Sequence, residues 1–145
     1  LKRTKRTSRE FLIEQKLRLV SDLGGLYERL REKHADLIHL EQDEKYITWR
    51  IFNNPNLKYT TYFVYEDDLL RAYCYVSIDS KKTAHLTDLT FEDYDAGDFL
   101  LKTILNNLSY NRNVTRAVFM GNIKNPIMAS VFDLLKKHGF IKRRI

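Results

Sequence analysis

Three β-rich runs follow one another between Tyr59 and Phe91 with only short polar turns between them, and this succession most limits what the chain can fold into. Tyr59–Tyr65 and Arg71–Ile78 flank Glu66-Asp67-Asp68, which predicts an antiparallel hairpin. The polar turn Asp79–Thr83 leads to a third run, His85–Phe91. The hydrophobic period then changes. Phe99, Leu101, Ile104, Leu105 and Leu108 mark a helix over about 96–109. Thr115–Met120 is an apolar strand, and Ile127, Met128, Val131, Phe132, Leu134 and Leu135 form a second apolar helix face, closed by Gly139. Strands that alternate with helices need crossovers, so part of the sheet is parallel while the hairpin is antiparallel. The expected fold class is α/β, a mixed central sheet flanked by helices.

The first half completes this plan. Phe11 to Val20 is a first strand. Leu23, Leu26, Tyr27, Leu30 and Leu37 follow helical spacing, which predicts a helix over about 22–34 with Asp22 as its N-cap. A second helix is expected over about 42–52, stopped by Asn53-Asn54-Pro55. Phe140–Ile145 begins another strand. Residues 1–10 form a basic linker or arm, and residues 11–145 form one domain, an ordinary size for the 145-residue length.

Net charge needs to be resolved by position. The whole chain is +6, which suggests a nucleic-acid binder. Residues 1–18 carry seven basic and two acidic side chains, and residues 136–145 carry five basic and none acidic. The 117 residues between hold 13 basic and 17 acidic side chains, a net −4. That acidic body argues against nucleic acid as the partner. No run approaches the roughly 18 apolar residues of a membrane helix, so no membrane partner is expected. The single cysteine, Cys74, excludes an internal disulfide framework and every multi-cysteine metal site. It fits a reducing compartment, and a cytoplasmic location is expected.

Lone chemical residues have plain structural readings. Cys74 lies mid-strand with no histidine at a telling spacing, as a buried structural thiol does. His34 and His39 are five apart and share no helix face, so no metal pair is expected. His85, beside Asp88, is open to a base role or to packing. His138 suits a helix C-terminus as a cation. Tyr62, Tyr65, Tyr73 and Tyr75 on two paired strands point to cross-strand aromatic packing, with an aromatic ligand wall as the alternative. Asn122 and Asn125 follow the last strand and are open to orienting a substrate amide or to loop structure.

With these elements in order, the chain resembles the GNAT acyltransferases over roughly residues 11–145. The resemblance rests on the element order, on Asp22 to Pro55 with Tyr46, Trp49, Arg50 and Pro55 closing its second helix, on the following KYTTYFVYEDDLLRAYCYVSID, and on the ending LLKKHGF with Gly139-Phe140. It is similar to the second, cofactor-poor half of tandem GNAT-like proteins. The chain ends soon after Gly139-Phe140, earlier than a complete sheet of that family, so one or more C-terminal strands are expected to be missing. The resemblance implies transfer of an acetyl or acyl group from acyl-CoA to a small-molecule or peptide amine in the intact protein. It also implies an upstream GNAT-like domain as partner. The alternative is a non-catalytic half that shapes a substrate site or an interface; a second and less favoured alternative is a nucleic-acid-binding module, to which the basic ends and the tyrosines point and against which the acidic body stands.

The family's cofactor chemistry maps onto particular residues. The resemblance places pantetheine against the backbone of Leu89, Thr90 and Phe91, and pyrophosphate at the following turn, where Gly97 is the one glycine. A helix N-terminus favours such an anion through its free N–H groups and dipole. Here the turn is FEDYDAGDFLL, with Glu92, Asp93, Asp95 and Asp98 at the helix entrance. Carboxylates cap a helix well, and they repel a pyrophosphate. At about 4 Å and an effective dielectric of about 20, each like-charge pair costs on the order of 4 kcal/mol before screening. Asp93, Asp95 and Asp98 are alternatively a hard-cation site, with capping the favoured reading. Leu135 stands where many members carry a tyrosine acid. If the segment is active, Glu92 and Tyr94, just past the strand end, are the acid–base candidates. Acetyl-CoA or another acyl-CoA is the expected cofactor in that case, and none otherwise.

Overall fold

The computed structural model describes residues 9–33, 59–119 and 126–141. Its elements are β1 (Phe11–Glu14), α1 (Ser21–Lys33), β2 (Thr60–Glu66), β3 (Leu69–Ile78), β4 (Thr83–Phe91), α2 (Tyr94–Ser109), β5 (Arg116–Phe119) and α3 (Pro126–Lys137). The strands form one sheet in the order β1-β2-β3-β4-β5. The first four are antiparallel neighbours, and β5 joins β4 in parallel after the α2 crossover. The mixed sheet expected from the sequence is the observed one.

Alternation along the strands divides the core into two layers. On one face Phe63, Tyr65, Leu70, Tyr73 and Tyr75 pack against Leu23, Leu26, Tyr27 and Leu30 of α1. On the other face Tyr62, Val64, Ala72, Cys74, Val76, Ala84, Leu86 and Leu89 receive α2 and α3 through Leu100, Leu101, Ile104, Val131, Leu134 and Leu135. The tyrosines of the hairpin are therefore packing residues. The Phe63, Tyr73 and Tyr75 rings lie 5.3–6.5 Å apart, and the Tyr27 and Tyr73 hydroxyls share a hydrogen bond under α1. Cys74 is fully buried, and burial pushes its thiol well above the ordinary value, so it is not a nucleophile.

Two bulges re-aim side chains. In β3 the pairing steps from Val64↔Ala72 to Tyr65↔Leu70, so Arg71 is the extra residue. In β4 it steps from Tyr75↔Thr87 to Tyr73↔Thr90, one residue more on β4 than on β3. Asp88 absorbs that insertion with φ 57. As a result Leu86 and Leu89, three apart, both face α2.

Several local expectations need correction. The first strand stops at Glu14, well short of Val20. Helix α1 starts at Ser21, so Asp22 lies in its first turn and is not its N-cap. There Asp22 accepts the Leu19 N–H and the Tyr65 hydroxyl. Helix α2 starts at Tyr94 because Asp93 caps it, accepting the Ala96 N–H at 3.0 Å. Helix α3 ends as expected. Gly139 has φ 90, Gly139 N–H bonds Lys136 O, and Phe140 N–H bonds Leu135 O. Phe140 and Ile141 are not in a strand. His138 does not merely cap the helix: its Nε2 lies 2.7 Å from Asp98 Oδ1 on α2. The 42–52 helix with Tyr46, Trp49 and Arg50, the pair His34 and His39, and Asn122 and Asn125 lie outside the described residues.

Candidate functional site

The site to test is where β4 leaves the sheet and α2 begins. The described pairing of β5 with β4 runs from Thr83↔Arg116 to Leu86↔Phe119. The bulge at Asp88 follows at once and turns β4 just where Leu89, Thr90 and Phe91 continue.

The start of α2 is filled from within. Asp93 accepts Ala96 N–H through its side chain and Gly97 N–H through its carbonyl. Its carboxylate also meets the Arg9 guanidinium edge-on, Nη1 to Oδ1 at 2.8 Å and Nη2 to Oδ2 at 2.9 Å. Burial raises the Asp93 carboxyl, but the Arg9 and Ala96 hydrogen bonds outweigh it and hold the group below its ordinary value. Arg9 continues to Glu66 with two further bonds, Nε to Oε2 at 2.8 Å and Nη2 to Oε1 at 2.7 Å. Those bonds likewise lower Glu66. Glu66 in turn holds Arg71 Nε at 3.1 Å. The basic residue assigned from sequence to a linker is thus built into the domain. Nothing in the local pattern LKRTKRTSR distinguishes Arg9 from its neighbours; only the facing carboxylates do.

Glu92 and Tyr94 do not form an acid–base pair. Glu92, with 7% of its side chain exposed, is gripped by Arg29 of α1 and Arg71 of β3, one on each carboxylate oxygen. Lys33 adds a bond to its carbonyl at 3.1 Å. Tyr94 sits toward α3 on the opposite face, with Lys137 Nζ 4.8 Å from its ring centre. Both residues are occupied, and they face different layers.

Gly97 lies in the first turn of α2. Its N–H is taken by Asp93 O, so it offers no free donor to a phosphate. A Cβ there would come within 2.6 Å of the Phe91 ring, so the glycine is required by helix–strand packing. The acidic turn is not a cation site either. Asp93 faces Arg9, whereas Asp98 faces His138, Lys102 and Lys137 at 2.7, 3.0 and 3.8 Å. Among the described residues no cluster of three His, Cys, Asp or Glu side chains could hold a metal ion. His85 pairs with Asp79 at 2.7 Å in the β3–β4 turn, far along the strand from Asp88.

No protein-family model and no curated protein sequence matches the chain. Solved structures do. It is similar to an acetyltransferase from Streptococcus agalactiae, with TM-score 0.68 and 18% identity over 92% of this chain and 85% of that one. It is similar to a GNAT-family acetyltransferase from Staphylococcus aureus, with TM-score 0.67 and 12% identity over 93% and 87%. A third likeness is to PaiA N-acetyltransferase from Thermoplasma acidophilum in complex with coenzyme A, with TM-score 0.64 and 17% identity over 94% and 92%. At such identities the likeness is one of fold.

Proposed function

We propose, from the premise that this chain has the GNAT acyl-CoA N-acyltransferase fold, that it serves as the half of an acyl-transfer protein that shapes a substrate site or interface. On this reading the intact protein transfers an acyl group from acyl-CoA to an amine, and another GNAT-like unit holds the cofactor. One observation carries the proposal: the Asp93–Arg9 pair occupies the start of α2. A helix N-terminus favours an anion through its free N–H groups and dipole. Here the anion is a side chain of the domain itself, fixed by a guanidinium and by Ala96 N–H. The residues present therefore do not fit the pyrophosphate of an acyl-CoA, and no catalytic step is assigned to them.

The backbone of Leu89, Thr90 and Phe91 supports a lesser reading. A strand edge binds an extended amide chain through backbone groups alone, whatever its side chains. A weak pantetheine contact is compatible with the closed helix end. Isothermal titration with acetyl-CoA tests both. The expected outcome is a dissociation constant weaker than about 1 mM, near −4 kcal/mol. A constant in the low micromolar range, about −8 kcal/mol, overturns the proposal.

A further inference from the structure

The two turns at the opposite end of the sheet are tied into one surface. Thr115 N–H donates to Lys82 O at 2.8 Å, and Arg116 Nε donates to Thr83 Oγ1 at 2.9 Å. Lys81 and Lys82 of the β3–β4 turn therefore stand beside Arg112 of the α2–β5 turn and Arg116 at the start of β5, and all four residues are exposed. Lys82 takes φ 64, which sharpens the turn. Tyr110, just past α2, projects with 81% of its surface exposed, the most exposed aromatic residue described.

The charge at this end is one-sided. Residues 105–119 contain no carboxylate, and residues 76–87 contain only Asp79. Asp79 is consumed by its own turn, accepting Lys81 N–H at 2.8 Å, Thr83 N–H at 3.1 Å and His85 Nε2 at 2.7 Å. Those bonds, His85 first, hold its carboxyl below the ordinary value. Among the described residues none of Lys81, Lys82, Arg112 and Arg116 has an ion-pair partner. Among the described residues, Glu66, Glu92, Asp93, Asp95 and Asp98 lie at the other end of the sheet.

We infer that this surface, Lys81, Lys82, Arg112 and Arg116 around Tyr110, binds single-stranded nucleic acid. Four cations without carboxylates attract a polyanion. An exposed ring beside them adds a stacking platform, which phosphates alone do not need and bases use. A second copy of this chain is a poor occupant, because Glu66, Glu92 and Asp93 at its other end are already engaged by Arg9, Arg29 and Arg71, which leaves only scattered exposed acids such as Asp68 and Asp95. An acidic protein surface would match the cations but leave Tyr110 without a role.

Fluorescence anisotropy of the whole chain with a labelled 12-nucleotide oligothymidylate, and with labelled decaglutamate, tests the inference. Four phosphate contacts on a single strand predict about a 50-fold loss of affinity from 50 to 200 mM salt. Replacing Lys81 and Arg112 together with glutamine should reduce the logarithmic salt slope by about 1.4. Tyr110→Ala should weaken the oligonucleotide about fivefold or more, and Tyr110→Phe should restore it. Three results overturn the inference. One is the absence of oligonucleotide binding at 50 mM salt. The second is affinity indifferent to Tyr110→Ala, with decaglutamate bound equally well, which assigns the surface to acidic protein. The third is affinity lost with Lys142, Arg143 and Arg144 changed to glutamine but kept in the Lys81/Arg112 variant, which assigns it to the chain end.

Discussion

The two ends of the sheet use charge in opposite ways. Where β4 meets α2, carboxylates and guanidinium groups alternate in a chain: Asp93, Arg9, Glu66, Arg71, Glu92, Arg29. Each charge has a partner, and several are shielded from water. The chain joins the segment before β1, the β2–β3 hairpin, α2 and α1. At the other end Lys81, Lys82 and Arg112 on two turns, and Arg116 at the start of β5, are exposed to water. Similar residue types therefore do different work. At the first end they fix elements in place and fill a helix terminus. At the second they make no ion pair among the described residues and leave positive charge exposed.

Removing one member of the paired end should have the largest effect. Glu92→Ala leaves Arg29 and Arg71 facing each other across a nearly buried gap, and a loss of about 3–5 kcal/mol is expected in denaturant unfolding. A loss below about 1 kcal/mol would erase the contrast between the ends. Gly97→Ala should cost about 1–3 kcal/mol, because the new methyl drives into the Phe91 ring. Unchanged stability in that variant would return the glycine to a ligand-facing role.

Acid should also separate the two ends. Glu66 and Asp93 have lowered carboxyl values in the folded state, so the unfolded chain binds their protons more readily. Their contribution is full above the ordinary values of 4.5 and 3.8 and is lost as pH falls through the lower folded values. Thermal melting between pH 7 and pH 3 should show a steep late loss, and Glu66→Gln should flatten it. An equally steep curve in that variant would place the acid sensitivity elsewhere. The smallest effect belongs to the open end. Lys81→Gln and Arg112→Gln should each change stability by less than about 0.5 kcal/mol. A larger loss in the same melts would reveal a structural role for those cations.

How far the sequence disclosed this arrangement depended on the range of the interactions. The hairpin, the mixed sheet and the α2 crossover were legible because strand and helix periods repeat over seven or more residues, as in Tyr59–Tyr65 and about 96–109. That a carboxylate of Glu92, Asp93, Asp95 and Asp98 caps α2 was legible because these residues and the helix are adjacent; that it is Asp93 was not. Arg9 was not. It bonds to residues 57 and 84 positions away, and short-range patterning carries no sign of that. The same distance hid the true work of Glu92, whose partners arrive from α1 and from a β3 bulge. Gly97 looked like a remnant of a phosphate turn, yet its need comes from one ring on β4. The open end was half legible, since the carboxylate-free run 105–119 is visible in the sequence. Its meeting with Lys81 and Lys82 depends on the β4–β5 register.

The most direct test of the account is the amide spectrum of Ala96 and Gly97 during titration with acetyl-CoA. Both N–H groups are held by Asp93 in the structure. The account predicts that neither resonance moves through millimolar cofactor, while any weak contact registers at Leu89–Phe91 alone. Saturable shifts at both Ala96 and Gly97 would mean that the pyrophosphate displaces Asp93, and would contradict it.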